Sequence, residues 1–241
     1  GKAKDYAEAE NLIESEKTNK KETILTPEQQ AAKKRLINYL SHGDINSALR
    51  IKDKFSSSEE FVQQAAKEVF INCLLERYID YAFRIKDMFS LSEEFVQQAV
   101  KKGLINRLSH GDINYALKIK DMFSLSEKFA QQAAKEGFIN LLLKGYIDSA
   151  LKIKDMFSLS EEFVQSPEVQ QAAKEGLINR LSHGDIDSAL KIKDMFSLSE
   201  EVIQSPEVQQ AVKKGLINRL SHGDIDSAIR IKDSFNIKLS L

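Results

Sequence analysis

The stretch Gly103-Leu-Ile-Asn-Arg-Leu-Ser-His-Gly-Asp-Ile-Asn-Tyr-Ala-Leu-Lys-Ile119 decides the fold. Read together with the residues before it, Val96, Ala99, Val100, Gly103, Leu104 and Leu108 gather on one broad side of a helical wheel. Gly111, preceded by His110, reads as a helix stop, because glycine enters the left-handed region without steric cost. A second helix opens at Asp112 and puts Ile113, Ala116, Leu117, Ile119 and Phe123 on its apolar side. The pattern predicts a helical hairpin.

The hairpin recurs. Leu/Phe-Ile-Asn returns with its isoleucine at Ile37, Ile71, Ile105, Ile139, Ile178 and Ile217, at spacings of 34, 34, 34, 39 and 39 residues. Six copies fill residues 29–241. The longer period comes from Gln165-Ser-Pro-Glu-Val169, repeated as Gln204-Ser-Pro-Glu-Val208. In Ser158-Leu-Ser-Glu-Glu-Phe-Val164, Ser160 is the expected N-cap, with Leu159 and Val164 as its hydrophobic staple. Ser166-Pro167-Glu168 then supplies a second start signal, with proline at the first helical position, so the long copies should carry a short extra helix. Thr26-Pro27-Glu28 starts the first copy in the same way.

Gly103, Gly137, Gly176 and Gly215 could end a helix, but the same position holds Arg35 and Val69, and a β-branched residue tolerates positive φ poorly. They are expected inside the first helix, at a cost of about 1 kcal/mol each, where they let a neighbouring helix approach closely. Asp187 and Lys191 stand at i,i+4 in the favourable order for an exposed intrahelical pair. Two helices in 34 residues cannot bury both apolar faces alone, so the copies must stack. The expected fold is all-α: an α-solenoid of six stacked helix-turn-helix repeats over residues 26–241. Residues 1–25, rich in Lys and Glu, are expected to form a charged tail or a capping helix.

Composition narrows the function. Of 241 residues, 42% are apolar and 29% charged, and the net charge is -1, without the basic excess of a protein that lives by neutralising phosphate. Residues 29–241 alone carry +1. No apolar run approaches the roughly 20 residues that span a bilayer, so no membrane role is expected. The single Cys73 excludes an internal disulfide framework and fits a reducing compartment, which favours the cytoplasm. The four histidines, His42, His110, His183 and His222, all end first helices in separate repeats, too far apart for a shared metal. Paired carboxylates such as Glu161 and Glu162 suit the positive end of a helix dipole. With no nucleophile elbow, phosphate loop or metal motif, neither an enzyme nor a cofactor is expected.

The hairpin Gly103–Ile119 resembles tetratricopeptide-like repeats, and the pentatricopeptide family most, in its Leu-Ile-x-x-Leu run, glycine turn and Asp/Asn-x-Ala-Leu second helix. That resemblance implies a helical-hairpin solenoid and, for the pentatricopeptide family, RNA bases read one per repeat. The corresponding reading positions here hold Lys34, Glu68, Lys102, Glu136, Glu175 and Lys214, paired with Gln29, Gln63, Gln97, Gln131, Gln170 and Gln209. These pairs differ from the family's usual combination, and the glutamates would repel phosphate.

Two lysine rows offer a possible cation ladder for a phosphate backbone: Lys33, Lys67, Lys101, Lys135, Lys174 and Lys213 on first helices, and Lys52, Lys86, Lys120, Lys154, Lys193 and Lys232 on second helices. Acid lies close by, with Asp53 and its equivalents directly after the second row, which favours a solvated face. Near-identical segments such as Met-Phe-Ser-Leu-Ser-Glu point to recent duplication, so positions that differ between copies are the informative ones. They include Tyr39, Cys73, Arg107, Leu141, Arg180 and Arg219, and the sign-changing Lys/Glu position.

The wheel places a polar stripe along the expected concave face: Gln30, Lys34 and Asn38; Gln64, Glu68 and Asn72; Gln98, Lys102 and Asn106; Gln132, Glu136 and Asn140; Gln171, Glu175 and Asn179; Gln210, Lys214 and Asn218. A stripe of mixed sign suits an extended peptide or protein partner, and the expected function is a non-enzymatic scaffold. The alternative is an RNA-binding solenoid that contacts phosphates through the lysine rows.

Overall fold

The computed structural model describes residues 25–56 and 60–236; the expected tail or capping helix at 1–25 lies outside them but for Leu25. Among the described residues the chain is all-α, a solenoid-like repeat of helices packed in neighbouring pairs. First helices α1 (Pro27–Ser41), α3 (Glu60–Leu75), α5 (Glu93–Ser109), α7 (Glu127–Leu143), α10 (Pro167–Ser182) and α13 (Pro206–Ser221) alternate with second helices. The second helices are α2 (Ile45–Phe55), α4 (Ile79–Met88), α6 (Ile113–Met122), α8 (Ile147–Met156), α11 (Ile186–Met195) and α14 (Ile225–Ser234). The short helices α9 (Glu161–Val164) and α12 (Glu200–Ile203) precede the two proline starts, as the insertions predict.

The described residues form two compact units, one of residues 25–107 and 114–130, the other of residues 108–113 and 131–236. In the first, α1 packs on both α2 and α3, and α3 packs on α4. Its core buries Leu36, Leu40, Phe61, Phe70, Ile85 and Phe89, and the Phe70 ring lies 5.9 Å from those of Phe95 and Phe123. In the second, α10 packs on α13 and α11 lies against α8 and α14. Phe138, Phe157, Phe196 and Phe235 are fully buried there, with Phe138 5.7 Å from Phe163 and 6.3 Å from Phe196. Each such ring removed from water is worth roughly 2–3 kcal/mol, which ties successive hairpins together.

Local sequence explains the helix ends. Thr26 and Gln29 form a reciprocal capping box. Ser160 accepts the Phe163 N–H at 3.2 Å, and both predicted staple residues, Leu159 and Val164, are buried. Asp44, Asp185 and Asp224 cap second helices by accepting the N–H of Ser47, Ser188 and Ser227. At the end of α1, Gly43 takes φ +74°, its N–H donates to the Leu40 carbonyl, and the Asp44 N–H donates to that of Tyr39. That is a Schellman turn.

Four of the second helices, α4, α6, α8 and α11, end in the same turn without glycine. Ser90, Ser124, Ser158 and Ser197 adopt φ of 47–51°, and the following leucine N–H reaches back five residues, as Leu91 does to Lys86 at 3.1 Å. In the second repeat Arg77 occupies the glycine position of the first-helix turn, at φ +71°.

The mid-helix glycines lie inside their helices, and the reason is proximity. A Cβ on Gly176 would lie 2.1 Å from the Leu142 carbonyl oxygen, and one on Gly215 equally close to that of Leu181. On Gly137 it would meet Leu108 Cβ at 2.5 Å, but on Gly103 it would meet Leu74 Cβ at 3.4 Å, an ordinary contact. The repeats therefore close to backbone contact at some junctions and to side-chain contact at others.

Candidate functional site

Stripe residues on one helix stand four apart, so each helix presents its three on one line. None of the eighteen is buried: Gln30, Lys34, Asn38, Gln98, Lys102, Gln132, Glu136, Gln171, Glu175, Asn179, Gln210 and Lys214 are exposed. Gln64, Glu68, Asn72, Asn106, Asn140 and Asn218 are half-buried. Several are held in place. The Gln171 amide donates to Glu175 at 3.0 Å, Asn140 donates to the Ser109 hydroxyl at 2.9 Å, and Gln64 accepts from Lys33 at 3.0 Å.

Four of the six lines lead to a histidine, His42, His110, His183 or His222, whereas Glu76 and Lys144 stand at that place after Asn72 and Asn140. Nδ1 of His42, His183 and His222 lies 2.7–2.8 Å from the carbonyl oxygen of Asn38, Asn179 and Asn218, four residues before, and donates a further hydrogen bond to a carbonyl in the last turn of the helix. Among the described residues no group of three His, Cys, Asp or Glu side chains is placed to hold a metal ion, and no helix is long and apolar enough to cross a membrane.

Several lysines of both rows reach along the chain to the next repeat, whereas Lys86 lies over the Phe83 ring of its own helix. Lys52 donates to the Met88 carbonyl at 2.6 Å, and Lys193 donates to that of Ser234 at 3.2 Å. Lys120 pairs with Glu127 at 2.6 Å, Lys154 pairs with Glu161, and Lys174 pairs with Glu207 at 3.3 Å. Lys67 and Lys135 lie over the Phe95 and Phe163 rings at 4.7 and 4.9 Å. These ammonium groups tie one repeat to the next.

The arginines at the variable position beyond the stripe serve the junctions too. Arg180 donates Nε to the Gly145 carbonyl at 2.9 Å and an Nη to that of Lys144, and its plane lies 4.8 Å from the Tyr146 ring. Arg219 repeats the bond to Gly184 at 2.7 Å, and Arg107 donates to Leu74 at 3.2 Å. Each closes the C-terminal end of the preceding first helix. Cys73 and Leu141, at the same position, are buried. Variation there follows the junctions, which sequence periodicity alone did not reveal. The Asp187–Lys191 expectation is corrected in the same direction: Lys191 pairs with Asp148 and Arg230 pairs with Asp187 at 2.6 Å, each across successive second helices.

Burial pushes the Cys73 thiol and the Tyr81 phenol up to about 12. The Ser227 hydroxyl and N–H hold the Asp224 carboxyl below its ordinary value, and Ser47 does the same for Asp44. Glu207 is lowered by its own N–H and by Lys174. No protein-family model matches the chain, and neither a curated protein nor a solved structure matches it significantly.

Proposed function

We propose that the chain is a non-enzymatic helical-repeat scaffold that binds an extended peptide or protein segment along the first-helix stripe. The observation that carries this reading is the division of labour among charges. Lysines common to the repeats, such as Lys52, Lys174 and Lys193, reach neighbouring repeats, whereas of the residues that change sign between copies Lys34, Lys102, Glu136, Glu175 and Lys214 are exposed and Glu68 is half-buried. In the first unit the sign runs positive, negative, positive through Lys34, Glu68 and Lys102. In the second it runs negative, negative, positive through Glu136, Glu175 and Lys214. A partner segment with the opposite order gains at each step and is rejected when misregistered. Contact with RNA phosphates, the alternative that the pentatricopeptide resemblance implies, draws no support from lysines already engaged within the protein.

A random peptide library panned on the wild-type chain tests the reading. Selected peptides should carry Lys or Arg opposite Glu136 and Glu175, and Glu136→Lys with Glu175→Lys should switch that preference to Asp or Glu. An unchanged consensus refutes it. So does tight binding of single-stranded RNA that falls steeply with salt, which would hand the function to phosphate contacts.

A further inference from the structure

The chain joins the first unit at the stripe. Gln30, which opens the stripe on α1, donates its side-chain amide to the Leu25 carbonyl at 3.2 Å, and the capping box of Thr26 with Gln29 fixes the turn into the helix beside it. Lys34 stands one helical turn further on. Next to α1 packs α3 with Glu68, and α5 with Lys102 lies on α3 through Gly103 against Leu74 and Lys67 over the Phe95 ring. Lys34 and Lys102 are exposed and Glu68 is half-buried.

The sequence leading to Leu25 carries the opposite order of charge. Counted back from Leu25, Glu22, Lys20 and Glu16 run negative, positive, negative, against Lys34, Glu68 and Lys102. Side chains an even number of residues apart share one face of an extended chain, so these three can meet the stripe together while Lys17, Asn19 and Lys21 turn away from it. The six residues from Glu22 to Glu16 span about 20 Å when extended, and two helix spacings of about 8–10 Å add to nearly the same length.

We propose that residues 16–22 lie along the first-unit stripe and keep it from other partners until a segment of the same charge order displaces them. The proposal rests on the reading of the stripe as a surface for extended segments and adds a self-occupied state to it. A tethered segment acts at an effective concentration of about millimolar, so a weak contact suffices for occupancy and a partner has to outcompete it.

A nitroxide at Asn19→Cys in the full chain tests this through paramagnetic broadening of backbone amide signals. The label sits on the face turned away from the stripe, and the native Cys73 is buried, so the reagent marks the new site. Broadening is expected at Gln64, Glu68 and Lys102. Lys34→Glu with Lys102→Glu should remove most of it, and adding Glu16→Lys with Glu22→Lys should bring it back; unmoved amide signals elsewhere verify the fold. A free peptide of residues 14–25 should bind the Glu16→Lys, Glu22→Lys chain roughly tenfold more tightly than the wild-type chain, whose own segment competes. Broadening confined to α1, broadening that the charge reversals leave unchanged, or equal peptide affinity for the two chains overturns the proposal. Broadening of one chain by the label on a second chain overturns it too, by making a second copy the occupant. The library selection opposite Glu136 and Glu175 in the second unit tests the stripe reading separately, so failure of one is told from failure of the other.

Discussion

Replacing single mid-helix glycines by alanine separates two opposing effects within one chain. Alanine favours the helix by about 1 kcal/mol at every such position. At Gly103 the new methyl meets Leu74 Cβ at 3.4 Å, so that gain survives, and Gly103→Ala should be neutral or stabilising by up to about 1 kcal/mol. At Gly176 the methyl falls 2.1 Å from the Leu142 carbonyl oxygen, about 1 Å inside contact, and the obstacle is backbone. Pushing the repeats apart costs about 1–3 kcal/mol in overpacking. It also strains the Arg180 bonds to Lys144 and Gly145, where a charge-assisted bond is worth about 1.5–3 kcal/mol. Gly176→Ala should therefore destabilise by about 2–4 kcal/mol net. Urea unfolding gives the global figure, and amide exchange in the second unit reports where the loss falls, because repeat chains open locally. Equal shifts for the two variants, or stabilisation by Gly176→Ala, would refute close backbone approach as the reason for glycine.

Arg77 sits at φ +71° where the other first-helix turns use glycine, so Arg77→Gly should stabilise by about 1 kcal/mol, read as a raised urea midpoint with an unchanged slope. Asp44, Asp224 and Glu207 have folded pKa values below their unfolded ones, so their stabilisation is complete above an unfolded carboxyl value of about 4 and is lost as pH falls through the lower folded values. Thermal unfolding from pH 7 to 2 should show the decline beginning below about pH 5, less steeply for Asp224→Asn. Cys73, buried with its thiol pushed up to about 12, should react with a disulfide reagent only as the chain unfolds, whereas fast labelling of the native protein would contradict its burial.

The hairpin was legible because its signals are local. A glycine stop, a proline start and a serine cap act within four residues, and each does so at Gly43, Pro167 and Ser160. The glycine at the helix centre was also readable, since Val69 at the same position excluded a turn. The serine turns were less visible: Ser158 takes φ +51° although serine carries no left-handed preference, and the turn is held by the buried Leu159 that follows. Partners across junctions were not legible either. Arg180 and Lys144 lie 36 residues apart, and Lys191 had an acid at i-4 that sequence alone makes the natural mate. The stripe's arc followed from the helical wheel, but its ligand did not, because nothing in a periodic pattern specifies what lies outside the molecule.

The arginine closures have a consequence for synthesis on the ribosome. A first helix such as α7 gains further hydrogen bonds to its end from the following repeat, as Lys144 and Gly145 do from Arg180. During translation such a hairpin thus keeps an unfinished end until the 36 residues from Lys144 to Arg180 have left the tunnel, a delay of roughly 2–7 s at ordinary elongation rates. Maturation proceeds as a wave one repeat behind the nascent end, and a pause in the message delays completion of the segment before it.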